Sequence, residues 1–270
     1  MDKPLHKISL TQEKETLLMT LWAKAFDNRS KHSILHDTKA EEIAAQIEYD
    51  FAKLDSFNHG NLTVLRARHL DEWLRTFLIT YPEAVIVQLG CGLDTRVTRI
   101  HPPAEVSWFD VDYPEVIALR EQFYANHEGY TMIASSVTAS QWLASIPKNR
   151  PVMIIAEGVL EYLTEEDVHT LFTRLIEAFP HGQIAFDVIN SFALEVGKAE
   201  LRKTGAECKW VVDTVNTIDQ WNPRLKRIAD QPLLCTPYRR ELPWSFRIFY
   251  ATVALFPSVR QTMRLLLYQF

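Results

Sequence analysis

Two glycines set two positions apart, Gly90 and Gly92, follow the apolar run Val85-Ile86-Val87-Gln88-Leu89 and precede Leu93-Asp94-Thr95-Arg96, where helical spacing resumes. The chain of 270 residues holds only 8 glycines, well under the roughly 7% of average usage, so this pair marks a backbone that approaches something closely. At the end of the first strand of an open parallel sheet, such a turn lies where ligands bind, and the helix start behind it favours electron-rich groups. A tight strand-to-helix turn without a ligand would also use glycine. The next strand ends Trp108-Phe109-Asp110-Val111-Asp112, which places Asp112 22 residues beyond Gly90, near the spacing at which a carboxylate accepts hydrogen bonds from ribose hydroxyls. Asp110 competes for that role, and either could instead cap the helix that follows. The two features together point to an adenosine cofactor. Thr95 stands where a dinucleotide fingerprint needs its third glycine, and no Gly-Lys-Ser/Thr follows to hold phosphates, so the phosphate-free S-adenosylmethionine suits the loop better than NAD or a nucleotide triphosphate.

A third element is Val152-Met153-Ile154-Ile155-Ala156-Glu157-Gly158-Val159-Leu160-Glu161-Tyr162-Leu163, a buried strand running into a loop with a carboxylate, a glycine and a phenol. Glu157 then sits at the crevice, partnered by the cofactor's positive charge or by an arginine such as Arg96 or Arg99. Tyr162 is the catalytic candidate, as an orienting hydrogen-bond donor. His32, His36 and His59 are the alternative bases if the acceptor is a phenol, whereas a carboxylate acceptor needs none at neutral pH.

These groups need a doubly wound scaffold. Short apolar runs at Val85 to Leu89, Val106 to Phe109, Tyr130 to Ala134, Val152 to Ala156 and Gln183 to Val188 alternate with amphipathic stretches, the pattern of parallel βαβ units. Pro114 opens a helix expected from Tyr113 to His127. Thr164 caps one running to Phe179, with Gly182 ending its turn. Helical spacing at Glu13 to Asp27, Lys39 to Tyr49 and Leu62 to Leu78 predicts a helical region that packs on a sheet edge or closes over the crevice as a lid. Toward the end, Leu225 to Leu234 and Met263 to Tyr268 read as strands and Pro243 to Leu255 as a helix. Trp210, Trp221 and Trp244 belong to a core or to a substrate cage.

Composition narrows the partners. The net charge of −5, with 29 basic and 34 acidic residues, and the lack of a dense basic block argue against nucleic acid. The clusters at Arg224 to Arg227 and Arg239-Arg240 read as solvated faces. No apolar run spans a bilayer, and Met1 to Thr11 lacks a signal-peptide core, so no membrane partner and a cytoplasmic location are expected. Cys91, Cys208 and Cys235 match neither a disulfide framework nor a metal site. Nothing in the composition fixes the oligomeric state.

Leu89 to Arg96, Phe109-Asp110-Val111-Asp112-Tyr113-Pro114-Glu115-Val116 and Ala156 to Thr164 resemble the signature segments of the leucine carboxyl methyltransferase family, most closely its polyketide-type O-methyltransferase branch. The likeness runs from Glu15-Thr16-Leu17-Leu18 to Leu265-Leu266-Leu267 and grows diffuse after Trp210. It implies a class I methyltransferase fold of α/β class: a central, mostly parallel, seven-stranded Rossmann-like sheet with helices on both faces. One domain, 1–270, would comprise a helical cap over 1–80 and a core over 81–270. The resemblance also implies that Arg66 binds the carboxylate of S-adenosylmethionine, Gly90 and Gly92 its methionine side and Asp112 its ribose, while Glu157 faces the amino-acid end. Where the family often has an acid for the adenine, this chain has Ser135-Ser136-Val137-Thr138, leaving Ser136 or the Val137 amide as substitutes. The implied activity is O-methylation of a carboxyl or hydroxyl group on a small molecule. Alternatives are a protein C-terminal carboxyl methyltransferase, an inactive S-adenosylmethionine-binding protein and, more distantly, a dehydrogenase.

Overall fold

Five consecutive buried residues, Val85–Leu89 (β1), mark a strand covered on both faces, as the centre of a parallel sheet requires. The computed structural model describes residues 6–7, 16–51 and 60–270. Around β1 stand Ser107–Asp112 (β2), Tyr130–Ala134 (β3), Val152–Ala156 (β4), Gly182–Ile189 (β5), Lys226–Pro232 (β6) and Met263–Gln269 (β7). The seven strands lie in the order β3-β2-β1-β4-β5-β7-β6. β1 is parallel to both β2 and β4, and β7 runs antiparallel to both of its neighbours. The order reverses beside β1, so the crevice opens outside the carboxyl ends of β1, β2 and β4.

Three strand expectations, for β1, β3 and β4, match residue for residue, because each is an uninterrupted apolar run bounded by turns. β2 continues past the apolar run ending at Phe109 and through Asp112, the strand end on which the Gly90 spacing is counted. The helix after it, Pro114–Arg120 (α5), stops well short of His127. The Arg120 carbonyl accepts from the amides of Phe123 and Tyr124, a turn that closes the helix. Gly182 opens β5 instead of ending the preceding turn. A Cβ there would lie 2.4 Å from Val152 Cγ1, so glycine is what lets β5 approach β4. Glu165–Ala178 (α6) is capped at its start by Thr164, whose side chain accepts from the Asp167 amide. At its other end Arg224 donates to the carbonyls of Ile176 at 2.6 Å, Phe179 at 3.2 Å and Pro180 at 2.7 Å. That basic cluster therefore closes a helix end as well as facing solvent.

The N-terminal region forms Thr16–Asn28 (α1), Thr38–Ala44 (α2) and Gly60–Thr80 (α3). Glu13 to Glu15, at the start of the first expected helix, lie outside the described residues. The second helix is shorter than expected because Ile47–Glu48 leaves it to pair in parallel with His6–Lys7. α3 covers a sheet face, not an edge, with Leu70, Leu74, Phe77 and Leu78 against Ile86, Trp108, Met153 and Ile155. α1 and α2 pack on Leu93 of the glycine turn and on Val116 and Leu119 of α5, over the crevice end of the sheet. Arg96–Ile100 (α4), Ser191–Thr204 (α7), Trp244–Val253 (α8) and Pro257–Arg260 (α9) complete the α-helices among the described residues. Trp210 and Trp221 stack in the core at a centroid distance of 5.8 Å, while Trp244 is exposed on α8. None of the three lines the crevice.

Candidate functional site

A cleft of about 660 Å³, counting its open mouth, lies at the strand-order reversal. Its walls come from α1 (Thr16, Leu17, Thr20, Lys24), from α3 (Arg66), from the glycine turn and from the β4 loop (Glu157, Gly158, Val159, Tyr162). Gly90 takes φ +61°, and a Cβ on it would lie 2.6 Å from Val159 Cγ2, so the two loops meet over a bare backbone. Gly92 takes φ +49° and donates its amide to Asp112 Oδ2 at 2.7 Å.

Of the two competing acids, Asp112 lines the cleft and Asp110 does not. Asp112 Oδ1 accepts the Tyr113 amide at 2.7 Å, while Asp110 is wholly buried with Arg120 at 2.5 Å, Tyr130 at 2.7 Å and Trp108 Nε1 at 2.8 Å. Burial pushes the Asp112 carboxyl up to about 6 against its two amide donors, which pull the other way. Asp112 thus enters the cleft with an ionisation cost that hydroxyl donors would relieve.

Behind the wall is a buried ionic network. Arg66 donates to Asp187 Oδ2 at 2.9 Å and to Glu157 Oε1 at 3.2 Å. Glu157 also pairs with Arg96, and the Lys24 ammonium stands 3.9 Å from it. Arg96 reaches Asp71 at 2.7 Å and Asp94 at 3.0 Å, and Lys24 reaches Asp94 at 2.9 Å. Arg99 joins Asp37, Asp71 and Asp94 at 2.7, 2.9 and 2.9 Å. Of the two arginines expected to pair with Glu157, Arg96 does so and Arg99 does not. Burial works against ionisation of Glu157, yet Lys24, Arg96 and Arg66 hold its carboxyl below the usual carboxylate range. Glu161, packed toward Asp187, is pushed the other way, up to about 7, by burial and by that like charge.

This arrangement has an electrostatic consequence. Four cations (Lys24, Arg66, Arg96, Arg99) face five carboxylates (Asp37, Asp71, Asp94, Glu157, Asp187) in this network, and Asp112 adds a further carboxylate on the cleft wall, so negative charge is in excess beside the cleft. A ligand with a net positive charge offsets it. The Tyr162 phenol lines the same cleft, and burial, reinforced by Glu161, raises it so far that it stays protonated at neutral pH. It can donate a hydrogen bond but not act as a base.

The remaining candidates fall elsewhere. Ser136 and Val137 follow β3, one strand beyond Asp112, and are not among the cleft-lining residues. Ser136 Oγ pairs with Thr138 Oγ1 at 2.9 Å and Val137 is core. The Ser135 amide donates to the Asp112 carbonyl at 2.8 Å, which ties this loop to the cleft. His32 and His36 are exposed and outside the cleft, so neither is placed as a base. His59 lies outside the described residues. Lys24, Asp94 and Asp187 join the site without having been expected from the sequence. Lys24 carried a signal, since it shares the buried stripe of Leu17, Leu18 and Leu21 on α1. Asp187 carried another, as an acid inside the apolar run of β5.

Residues 10–176 match the family model described as leucine carboxyl methyltransferase. The tetracenomycin polyketide synthesis O-methyltransferase TcmP of Streptomyces glaucescens is 38% identical over 266 residues, 97% of this chain and 98% of that protein. The S-adenosyl-L-methionine-dependent methyltransferase dpfgK of Gibberella zeae is 32% identical over 244 residues, 82% of each. Among solved structures, the plantazolicin methyltransferase BamL, in complex with a triazolic desmethylPZN analogue and SAH, superposes with a TM-score of 0.51 at 10% identity, covering 95% of this chain and 97% of that one. A SAM-dependent methyltransferase from Anabaena variabilis gives 0.50 at 10% identity, over 76% and 84%. At such identities these two show the shared fold alone.

Proposed function

The chain belongs to the leucine carboxyl methyltransferase family, and from that premise we propose that it is a cytoplasmic S-adenosylmethionine-dependent O-methyltransferase acting on a carboxyl or hydroxyl oxygen of a small molecule. The observation that carries this reading is the cleft at the strand-order reversal with negative charge in excess around it. S-adenosylmethionine bears a sulfonium, an ammonium and one carboxylate, so its net positive charge offsets part of that excess.

The residues divide the cofactor between them. Arg66 takes the carboxylate and Glu157 the ammonium. The bare backbone at Gly90 and Gly92 lets the methionine side approach, and Asp112 accepts from the ribose hydroxyls. Ser136 and the Val137 amide serve the adenine side. Residues 1–80 act as a cap over the core of 81–270, with α1 closing the cleft wall through Thr16, Leu17 and Thr20. The cofactor supplies a methyl group already activated by its sulfonium. What the chain adds is position: holding nucleophile and methyl carbon in line at roughly 3 to 3.5 Å removes much of the barrier. Tyr162 orients the acceptor oxygen by donating a hydrogen bond, and burial keeps water out of that contact.

The test is incubation with methyl-labelled S-adenosylmethionine and a small-metabolite extract. Label in an organic-soluble product, released by mild base if it is an ester and retained if an ether, is the expected result. Tight binding with no transfer to any acceptor would overturn the enzymatic reading, and label on protein would redirect it to protein carboxyl methylation.

A further inference from the structure

Between β6 and β7 an otherwise acidic molecule presents a cationic surface. Residues 237–262 carry Arg239, Arg240, Arg247 and Arg260 against one acid, Glu241, a net charge of +3 in a chain whose total is −5. Glu241 is engaged by Arg68 at 3.5 Å, and Arg239 donates to the Leu234 carbonyl at 2.7 Å. Among the described residues, Arg240 and Arg247 have no carboxylate partner, although most cations near the cleft are paired.

α8 gives this charge a shape. Its inner face, Phe246, Tyr250 and Val253, together with Ala254 just past its end, packs with Val64 and Leu65 of α3 and with Leu242. Its outer face repeats at i, i+3, i+4 and i+7: Trp244, Arg247, Ile248 and Ala251. With Arg239 and Arg240 these four line an open trough of about 740 Å³. Trp244 is 73% exposed and Ile248 59% exposed. A helical stripe of this kind is what a second helix packs against, and a concave trough suits a rod better than the flat face of a bilayer. Its composition, arginine and tryptophan without lysine, is that of interface centres, and paired guanidiniums match carboxylates bidentately. A symmetric pair of copies would set this surface, of net charge +3, against its own cationic equivalent, which disfavours a second copy as occupant.

We propose that this trough docks an acidic amphipathic helix of a partner protein, whose carboxylates pair with Arg240 and Arg247 and whose apolar side chains cover Trp244 and Ile248. The surface lies apart from the cleft-lining residues and does not depend on the methyltransferase reading.

The probe is a fluorescein-labelled, hydrocarbon-stapled helix of about 16 residues, long enough to lie along α8, with leucines on one face and glutamates on its flanks, followed by anisotropy with the full chain. Micromolar binding is expected. Arg240→Glu/Arg247→Glu should weaken it by about 30-fold or more, and Trp244→Ser by about tenfold. Both variants should still bind S-adenosylhomocysteine normally, which shows that they are folded independently of this site. The same helix with lysines for glutamates should not bind. The proposal fails if the arginine reversals leave affinity unchanged, if an unstructured peptide of equal charge binds as tightly, or if the chain ignores the helix and instead sediments with phosphatidylglycerol vesicles.

Discussion

Replacing Asp112 with asparagine should separate the two consequences of burying a carboxylate in the cleft wall. In the folded protein burial lifts this group to about 6. An ordinary carboxyl titrates near 4, so the difference is roughly a hundredfold in proton affinity, or about 3 kcal/mol. The sign follows from linkage. A carboxyl raised on folding binds its proton more tightly in the native state, so its ionisation costs stability as pH rises from about 4 through about 6. The asparagine side chain does not titrate. It keeps one acceptor oxygen for the amides of Gly92 and Tyr113, both at 2.7 Å, and the other amide loses its bond at a cost of about 1–3 kcal/mol at every pH. The variant should therefore be less stable than the wild type at pH 4 and gain on it by about 2 kcal/mol by pH 7. Urea unfolding of both proteins at pH 4, 5, 6 and 7 measures this. A stability difference that stays constant across that range would refute the titration, and a variant unfolded at every pH would show that the carboxylate serves the backbone alone. For the ligand, loss of a charged acceptor should weaken S-adenosylhomocysteine by roughly 10- to 100-fold. Wild-type affinity should fall below pH 6, with the variant's flat.

Further expectations follow from other groups in the cleft and scaffold. Arg66→Ala should weaken S-adenosylhomocysteine by about 100-fold and 5′-methylthioadenosine, which lacks the carboxylate, only a few-fold; equal losses in calorimetry would remove the carboxylate assignment. The same variant should lose about 3–5 kcal/mol of stability, because Asp187 and Glu157 are left buried with fewer partners. Gly90→Ala should lower the melting temperature and abolish cofactor binding, since its Cβ meets Val159 at 2.6 Å and its φ is +61°. Adding Val159→Ala should restore only part of the stability, and full restoration would mean that the backbone conformation is not strained. Arg224→Ala should destabilise by about 1–3 kcal/mol through the three carbonyls it leaves at the end of α6, while a thermal shift below about 1 °C would show that water replaces it.

What the sequence made legible was local. Continuous apolar runs bounded by turn residues define β1, β3 and β4, and one short helix, α4, and β2 span the residues from Gly90 to Asp112. Glu157 was visible as the first charge after a buried run. What stayed hidden depends on distant partners. Lys24 meets Asp94 across 70 residues and Arg66 meets Asp187 across 121, so neither pairing leaves a periodic trace. α7 carried its own signals, an Asn190 side chain accepting from the Ala193 amide and Gly205 at the far end in the left-handed region, but its low apolar content, with Phe192 and Val196 left exposed, obscured them. The histidines illustrate the opposite error. Their chemistry suggested bases, yet exposure of His32 and His36 removes them from the cleft.

The most direct measurement is the structure of the chain crystallised with S-adenosylhomocysteine. The account predicts the nucleoside sugar on the Asp112 carboxylate, the amino-acid carboxylate on Arg66, the ammonium toward Glu157 and the sulfur facing Tyr162. A cleft closed by Arg66, Glu157 and Asp187 with the compound bound elsewhere, or not at all at saturating concentration, would contradict it.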